Sequence, residues 1–334
     1  MVCPLSPNLS IISAEAQTLL MAKAKEITGL DCAANALEWA AEVLRVRFDE
    51  VVNLRDAALD FSDIEGVHSM RVATRRLRSA LHDFTPFMDK RPPKRVRKEL
   101  KQLADALGAV RDQDVAIVAL QGLQVEAETE PIKKGIGKLL RERSSLRKVA
   151  RLDLTAALAA PNLNDLQEQF TATIDKVVRQ KKSKKIVSFN EAGHDVVVAS
   201  LQDLLDLGAS LYAPFDIEEL HEMRIAAKRL RYAIELFVAC WGKRIAPFAD
   251  EIAGMQSFLG EVHDCDIWIE SLGKRLQNGQ ESAATGESDY QTAVWLLSEF
   301  VKKRTKEYRS ALKLWSEWKT NYFAERMRAM IRAA

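Results

Sequence analysis

The chain has 334 residues, a formal net charge of +2 and 47% hydrophobic residues, with only 14 glycines and nine prolines. This composition excludes a disordered or collagen-like chain and predicts a folded, helix-rich protein that can bury a substantial core. Because the total charge is close to zero, any strongly basic region must be local.

The first predicted elements lead up to a motif helix. Residues 1–29 are predicted to be a loose N-terminal segment, and a long first helix is predicted from residue 31 to about residue 60. Ser62 followed by Glu65 has the spacing of a capping box, which predicts that the next helix begins there.

That next helix carries a motif that occurs twice. Residues 67–84 (VHSMRVATRRLRSALHDF) recur 153 positions later as residues 220–237 (LHEMRIAAKRLRYAIELF), with nine of 18 positions identical. At 3.6 residues per turn, the apolar positions gather on one side of each helix. The opposite side carries a cation-bearing stripe, formed by His68, Arg71, Arg75, Arg78 and His82 in the first copy and by His221, Arg224, Lys228 and Arg231 in the second. Arg76 and Arg229 lie on the flanks, and Tyr232 lies beside the second stripe.

Basic residues continue through the rest of the first half. Between residues 67 and 101 there are eleven Lys or Arg but only three Asp or Glu. Residues 91–93 (RPP) end the motif region, and a very basic helix containing Lys94, Arg97 and Lys101 follows. Leu107-Gly108 predicts a kink or a stop, and Pro131 opens a fourth helix whose basic face is formed by Lys134, Lys138, Arg141 and Lys148.

The second half repeats this plan after a connector at residues 161–185. The connector comprises a turn cluster (PNLN), a short amphipathic helix and a solvated basic run (RQKKSKK). Four helices are predicted at about residues 186–207, 217–240, 244–271 and 288–331, with Asp216 and Glu219 at the start of the second. Residues 277–288 are polar and predict a mobile loop. The aromatic residues of the last helix are interpreted as core packing: Trp295, Phe300, Trp315 and Trp318.

The two cationic stripes favour the binding of a polyanion. A solvated helix face mixes charges of both signs, because Glu–Lys pairs four residues apart stabilise it. Like charges at this spacing destabilise a helix by a few tenths of a kcal/mol per pair. Two helices that carry the same uncompensated pattern therefore need a compensating gain, which a bound polyanion would supply.

The sequence resembles the CHAD (conserved histidine α-helical domain) family. The resemblance rests on HxMRVATRRLR followed by LGAVRDQDV, and on HEMRIAAKRLRY followed by LGEVHDCDI, and it covers roughly residues 30–330. It implies two four-helix bundles related by a pseudo-two-fold axis, whose motif helices line a shared basic channel. It also implies that the protein binds inorganic polyphosphate. The β-rich, acidic triphosphate-hydrolase-like segment that often accompanies this domain is not found in the chain.

From the resemblance we expect an all-α protein with two pseudo-symmetric four-helix halves, at residues 30–160 and 186–330. The expected polyphosphate contacts are His68, Arg71, Arg75, Arg76 and Arg78 in the first copy, and His221, Arg224, Lys228, Arg229 and Arg231 in the second. We add four residues from the neighbouring basic helices, namely Lys94, Arg97, Lys101 and Arg141.

Aspartate pairs offer a different chemistry. Asp112 and Asp114 recur as Asp264 and Asp266, and His263 joins the second pair. Carboxylates with an imidazole suit Mg²⁺ or Mn²⁺, so a metal-dependent phosphohydrolase is one alternative. Residues two apart do not share a helix face, however. We therefore favour the interpretation that these aspartates hold the motif arginines in place.

The motif histidines are interpreted as ligand-binding groups. A general base needs an orienting partner and a nucleophile, and neither is evident beside His68 or His221. We therefore expect a binding or targeting module for polyphosphate or its granules, with no enzymatic activity and no cofactor. Nucleic-acid binding is the other alternative. It would need exposed aromatic residues for stacking, and Tyr232 is the only aromatic beside the stripes.

The cysteines and the start of the chain bear on location. The four cysteines lack the paired spacing of disulfide scaffolds or zinc sites, and they are Cys3, Cys32, Cys240 and Cys265. The first residues lack the basic and apolar regions of a signal peptide. No run approaches the roughly 18 apolar residues of a membrane span. We therefore expect a cytoplasmic protein that does not enter a membrane.

Overall fold

The protein is built from α-helices. The computed structural model describes residues 27, 29–88, 93–179, 187–281 and 287–333, and within these the only β-type pairing is an isolated bridge between Asn35 and Ser188. The predicted all-α class is confirmed. The helices are α1 (Ala36–Asn53), α2 (Arg55–Leu59), α3 (Ile64–Phe84), α4 (Lys94–Glu126), α5 (Glu130–Ala157), α6 (Ala160–Arg179), α7 (Phe189–Asp206), α8 (Ile217–Trp241), α9 (Ala246–Glu281), α10 (Glu287–Thr320) and α11 (Phe323–Arg332). None of these described helices is long and apolar enough to cross a membrane.

The two motif helices, α3 and α8, both begin at an aspartate cap. Asp216 caps α8 as predicted, and its carboxylate accepts a hydrogen bond from the Glu219 amide at 3.0 Å. The predicted cap at Ser62 is wrong, because Asp63 accepts the bond from the Glu65 amide at 2.9 Å. Aspartate and serine are comparable caps, so the sequence alone could not choose between these two neighbours.

Several predicted breaks are helical. Leu107-Gly108 lies inside the unbroken α4, because packing of the buried Leu107 outweighs the roughly 1 kcal/mol that a glycine costs a helix. The predicted turn at residues 161–164 begins α6 instead, since proline fits the first turn of a helix. Residues 277–281 of the predicted loop belong to α9. The basic run at residues 180–185 and the loop residues 282–286 lie outside the described residues.

Two predicted long helices are in fact interrupted. The first begins at Ala36 rather than at residue 31 and is interrupted at Leu54, between α1 and α2. The last is interrupted at Tyr322, whose left-handed backbone (φ 55°) separates α10 from α11.

A large apolar cluster joins the two halves of the sequence. At its centre the rings of Phe84 on α3, Phe189 on α7 and Phe237 on α8 meet, with centroids 4.8 to 6.1 Å apart. All three rings are fully buried. The C-terminal halves of the two motif helices are therefore fixed against each other by shared hydrophobic packing.

A second, smaller apolar cluster lies at the far ends of two helical hairpins, α4–α5 and α9–α10. The Trp268 and Phe300 rings stack there with centroids 5.0 Å apart. Leu120 from α4 and Ile136 from α5 pack into the same cluster. The predicted core role of Phe300 is thus confirmed, as are those of Trp315 and Trp318 in the larger cluster, while Trp295 is partly buried.

Charged residues separate the two clusters along every hairpin helix. On α4 the larger cluster ends at Val110 and the smaller begins at Ala116, and on α9 the corresponding residues are Val262 and Cys265. The residues between them include Arg111 to Asp114 on α4 and His263 and Asp264 on α9. The fold thus places a layer of polar side chains between two apolar regions, beside the N-terminal halves of α3 and α8.

Candidate anion-binding site

The two cationic stripes come together where α3 and α8 approach each other. The Arg75 guanidinium of α3 lies over the Tyr232 ring of α8, 5.9 Å from its centroid. Burial, followed by the charges of Arg224 and Arg75, lowers the pKa of Lys228 to about 8. Cations from both helices are therefore close enough to affect one another's charge. We call these residues the cationic cluster: Arg71, Arg75, Arg224, Lys228 and Arg231.

Burial lowers the pKa of three arginines of this cluster, Arg71, Arg224 and Arg231. The charge of Arg75 lowers each of these pKa values further, whereas Asp112 raises that of Arg71, Asp264 that of Arg224, and Tyr232 and Glu235 that of Arg231. The Nε atoms of Arg75 and Arg224 are buried without a hydrogen-bond partner. A buried donor left unpaired is costly, so these groups are poised to accept an anionic ligand.

The motif histidines, His68 and His221, lie next to the cationic cluster. Burial, followed by the charges of Arg111 and Arg75, lowers the pKa of His68 to about 4. Its Nδ1 is buried without a hydrogen-bond partner. His221 is paired differently, because its Nδ1 lies 3.1 Å from the Nδ1 of His263 on α9. Burial and Arg224 lower the pKa of His263 to about 4.

The structure splits each aspartate pair. Asp112 lies 3.7 Å from Arg71, and Asp264 is close enough to Arg224 for that charge to lower its pKa. The interpretation that aspartates hold the motif arginines is therefore supported for Asp112 and Asp264. It is wrong for Asp114 and Asp266, which are buried and pair with arginines of the fourth helices, namely Arg147 on α5 (3.2 Å) and Arg304 on α10 (2.5 Å).

The two outer carboxylates, Asp112 and Asp264, are exposed although protein surrounds part of each. The Asp112 side chain is 68% accessible, yet the surrounding protein raises its pKa through desolvation. Asp264 is also exposed, and burial, followed by Glu261, raises its pKa to about 6. Asp112 also raises the pKa of Asp264, so the two carboxylates lie near each other although they come from opposite halves of the sequence. We call the region around them, beside the cationic cluster, the recess.

Not every predicted contact belongs to the cationic cluster. Arg76 is buried and its Nε lies 2.5 Å from Glu235, so it joins α3 to α8. Arg78 and Arg229 are exposed. Lys94, Arg97 and Lys101 are exposed near the start of α4, and Lys101 lies about 16 Å along the helix from Asp112 at 1.5 Å per residue. Arg141 is exposed on a face of α5 other than that of Arg147.

Sequence reasoning missed a row of arginines on α5. Arg143 lies over the Trp268 ring (4.9 Å), Arg147 pairs with Asp114, and Arg151 lies over the Phe61 ring (4.7 Å). Their i, i+4, i+8 spacing indicates a common helix face, and it is the signal in the sequence that identifies this row. The face predicted to be basic was instead the one that carries Lys134, Lys138 and Lys148. Tyr232 is also buried rather than available beside the stripe, at 4% exposure.

No group of three or more His, Cys, Asp and Glu side chains in the described part of the chain is placed to hold a metal ion. The recess thus offers scattered carboxylates and imidazoles around a cationic centre. Such an arrangement can attract and orient an anion.

Comparisons with known proteins agree with this architecture. The family model for the CHAD domain matches residues 42–273. The crystal structure of the CHAD domain from the plant Ricinus communis is similar, with a TM-score of 0.69 and 22% identity over 93% of this chain and 96% of that one. PptA from Streptomyces chartreusis is also similar, with a TM-score of 0.63 and 16% identity over 85% of this chain and 100% of that one. No curated protein matches the sequence.

The Arg76–Glu235 pair yields a stability prediction. Glu235→Leu leaves the buried Arg76 charge unpaired, so we expect it to lower the free energy of unfolding by up to about 3 kcal/mol. The double variant Arg76→Met/Glu235→Leu should recover most of this loss, because no buried charge remains. Urea denaturation of the four proteins of this double-mutant cycle provides the measurement. If the loss in the double variant equals the sum of the losses in the two single variants, the two side chains do not interact.

Proposed function

This chain belongs to the CHAD family, and from that premise we propose that its cationic cluster binds inorganic polyphosphate. The protein would act as a non-catalytic binding or targeting module for polyphosphate or polyphosphate granules. The proposal rests on one observation: positively charged side chains of both motif helices lie close together. Among them, the Nε atoms of Arg75 and Arg224 are buried without a hydrogen-bond partner.

Polyphosphate matches this chemistry in its charge and in its oxygen atoms. Each guanidinium can donate parallel hydrogen bonds to phosphate oxygens, and such charged bonds are stronger than neutral ones. The ligand repeats its charge along the chain, as the stripes repeat theirs along the helices. The contacts we propose are His68, Arg71, Arg75, His221, Arg224, Lys228 and Arg231.

We further propose that the recess is a basic channel shared by the two halves. Its support is the polar layer between the two apolar clusters, into which Asp112 and Asp264 face from opposite halves of the sequence. A flexible polyphosphate chain would pass both motif stripes in such a channel. The exposed residues Lys94, Arg97, Lys101, Arg141, Arg78 and Arg229 would then serve at most to attract the polyanion from outside the cluster.

The positions of the aromatic residues disfavour single-stranded nucleic acid as the ligand. Stacking of bases needs an aromatic face open to solvent. The Tyr232 ring is instead buried beneath Arg75 and Arg231, whose guanidinium carbons lie 5.9 and 5.5 Å from its centroid.

The pairing of the aspartates supports binding rather than hydrolysis. Asp114 and Asp266 are held in buried ion pairs with Arg147 and Arg304, which removes one carboxylate of each pair from any role with a metal. The thiols of Cys32, Cys240 and Cys265 are free, as is typical of a reducing compartment. This supports the cytoplasm as the location that we propose.

Competition between ligands at several salt concentrations tests the proposed function. We expect polyphosphate to displace single-stranded DNA and RNA, and duplex DNA to bind more weakly at the same ionic strength. The logarithm of the affinity should fall linearly with the logarithm of the salt concentration, because binding releases condensed counterions, as it does for DNA. A flat salt dependence, or equal affinity for duplex DNA, would contradict the proposal.

If the two halves share one channel, both motif stripes are necessary for tight binding of long-chain polyphosphate. Removing either stripe, by Arg71→Ala/Arg75→Ala or by Arg224→Ala/Lys228→Ala, should reduce the affinity for long-chain polyphosphate about a hundredfold or more. Each charged hydrogen bond contributes roughly 1.5–3 kcal/mol, and two are lost in each variant. Isothermal titration calorimetry measures both affinity and stoichiometry.

A control for charge is Lys274→Ala/Lys313→Ala, which removes two cations whose side chains are 68% and 80% exposed. It should change the affinity little. If each half-variant keeps nearly full affinity at half the stoichiometry, two independent sites must replace the shared channel.

The shifted pKa values predict a dependence on pH. A bound polyanion favours the protonated forms, so the pKa values of Lys228, His68 and His263 should all be higher in the complex than in the free protein. The Lys228 contribution to affinity is complete below its free pKa of about 8 and is lost as pH rises through its higher value in the complex. The histidine contributions increase as pH falls toward their free values of about 4.

Affinities measured from pH 5 to pH 10 should therefore decrease steadily as pH rises. Lys228→Arg keeps its charge throughout this range, so it should flatten the alkaline part of the profile and leave the acidic part unchanged. An unchanged alkaline slope in Lys228→Arg would show that Lys228 does not contact the ligand.

A further inference from the structure

Cys32 lies in a short segment that is fixed to the start of α7. The Asn190 amide donates a hydrogen bond to the carbonyl oxygen of Cys32 at 2.9 Å, and the Phe189 amide donates one to Ala34 at 2.8 Å. The Ala36 amide completes the pairing by donating to Val187 at 2.9 Å. Because three backbone hydrogen bonds hold the segment, the position of Cys32 relative to α7 is well defined.

The same end of α7 packs against the C-terminal end of α8. The Phe189 and Phe237 rings lie 4.8 Å apart. A Cβ placed on Gly193 would lie 2.9 Å from the Phe237 ring, so the two helices are in close contact. Cys240 follows Phe237 by three positions and therefore lies on the same face of α8, one turn nearer to Cys32.

The two thiols consequently meet, although they are far apart in the sequence. Cys32, held at the start of α7, and Cys240, near the end of α8, are therefore close enough for their side chains to interact. Both are partly exposed and pack against the larger apolar cluster. Cys265, in contrast, is buried in the smaller cluster. We propose that Cys32 and Cys240 form a reversible intramolecular disulfide when a peroxide oxidises the protein.

The chemistry needs one peroxide molecule per disulfide. The Cys32 thiolate attacks the peroxide, so that an S–O bond forms, the O–O bond breaks and, with hydrogen peroxide, water leaves. Cys240 then attacks the resulting sulfenic acid, so that the S–S bond forms and the S–O bond breaks with loss of a second water. The two sulfurs are oxidised and the peroxide is reduced. Cys32 reacts first because burial, followed by its contact with Cys32, raises the pKa of the Cys240 thiol.

The disulfide would tie the short segment before α1, which contains Cys32, to the second motif helix. Cys240 lies twelve residues beyond Lys228, about 18 Å along the helix, so the bond forms at the end of α8 away from the cationic cluster. We expect it to stabilise the helix end and the attached segment. Its test requires no polyphosphate and is therefore independent of the proposed function.

The experiment uses the full chain with Cys3→Ser, because Cys3 lies outside the described residues. The folded protein is treated with hydrogen peroxide, the remaining thiols are blocked with iodoacetamide, and tryptic peptides are analysed by mass spectrometry. We expect a linked pair of peptides containing Cys32 and Cys240, lighter by two hydrogen atoms and reversed by dithiothreitol. Oxidation should also raise Tm by on the order of a few °C.

Two variants establish the order of the steps. In Cys240→Ser, dimedone should trap a sulfenic acid at Cys32, whereas in Cys32→Ser, Cys240 should remain an unmodified thiol. Both thiols staying fully alkylated after peroxide treatment would overturn the proposal. A bond to Cys265 or between two chains would overturn it as well. The oxidation of the Cys3→Ser protein decides the matter even if one of these two variants fails to fold.

Discussion

Mutual repulsion among the cations of α3 and α8 is the constraint around which the structure is arranged. In addition to burial, the charges of Arg224 and Arg75 lower the pKa of Lys228, and the charge of Arg75 lowers that of Arg224, so these neighbouring charges are unfavourable for each other. Something must hold the two helices together against this repulsion. The Phe84, Phe189 and Phe237 rings do so at one end, and the packing of α4–α5 against α9–α10 does so at the other. The polar layer is therefore kept open by apolar packing on both sides.

The internal repeat is not used identically in the two halves. Arg76 of the first copy is buried because it pairs with Glu235 of the second copy. The first copy has no glutamate at the position that corresponds to Glu235. In the first copy that position is His82, whose pKa is raised by its hydrogen bond with Asp83, although the charge of Arg229 on the other motif helix opposes this shift. Because a histidine cannot supply the negative charge of the ion pair, Arg229 remains exposed. In the same way, Arg111 of the first half is replaced by His263 in the second, which creates the contact with His221.

These differences mark the limit of what the sequence could predict. Helical periodicity correctly separated the buried Met70, Leu77 and Phe84 from the stripe that carries Arg71 and Arg75, because the period depends only on local geometry. It could not tell that Arg76 crosses to α8, or that Asp114 turns away to Arg147, because those partners come from distant parts of the chain. The meeting of Cys32 with Cys240 was hidden for the same reason. Local signals also failed at Gly108, where packing along α4 decides the outcome.

The cationic cluster is therefore a region in which the free protein is destabilised by its own charges. Unpaired guanidinium donors and depressed pKa values record interactions that the chain alone does not complete. A ligand that binds only the folded state stabilises it in proportion to the logarithm of its concentration over Kd. An anion in the recess would relieve the repulsion and satisfy the buried donors at once, so its binding energy would also become folding stability. The rigid apolar clusters on either side allow this, because they fix the charges in place before the ligand arrives.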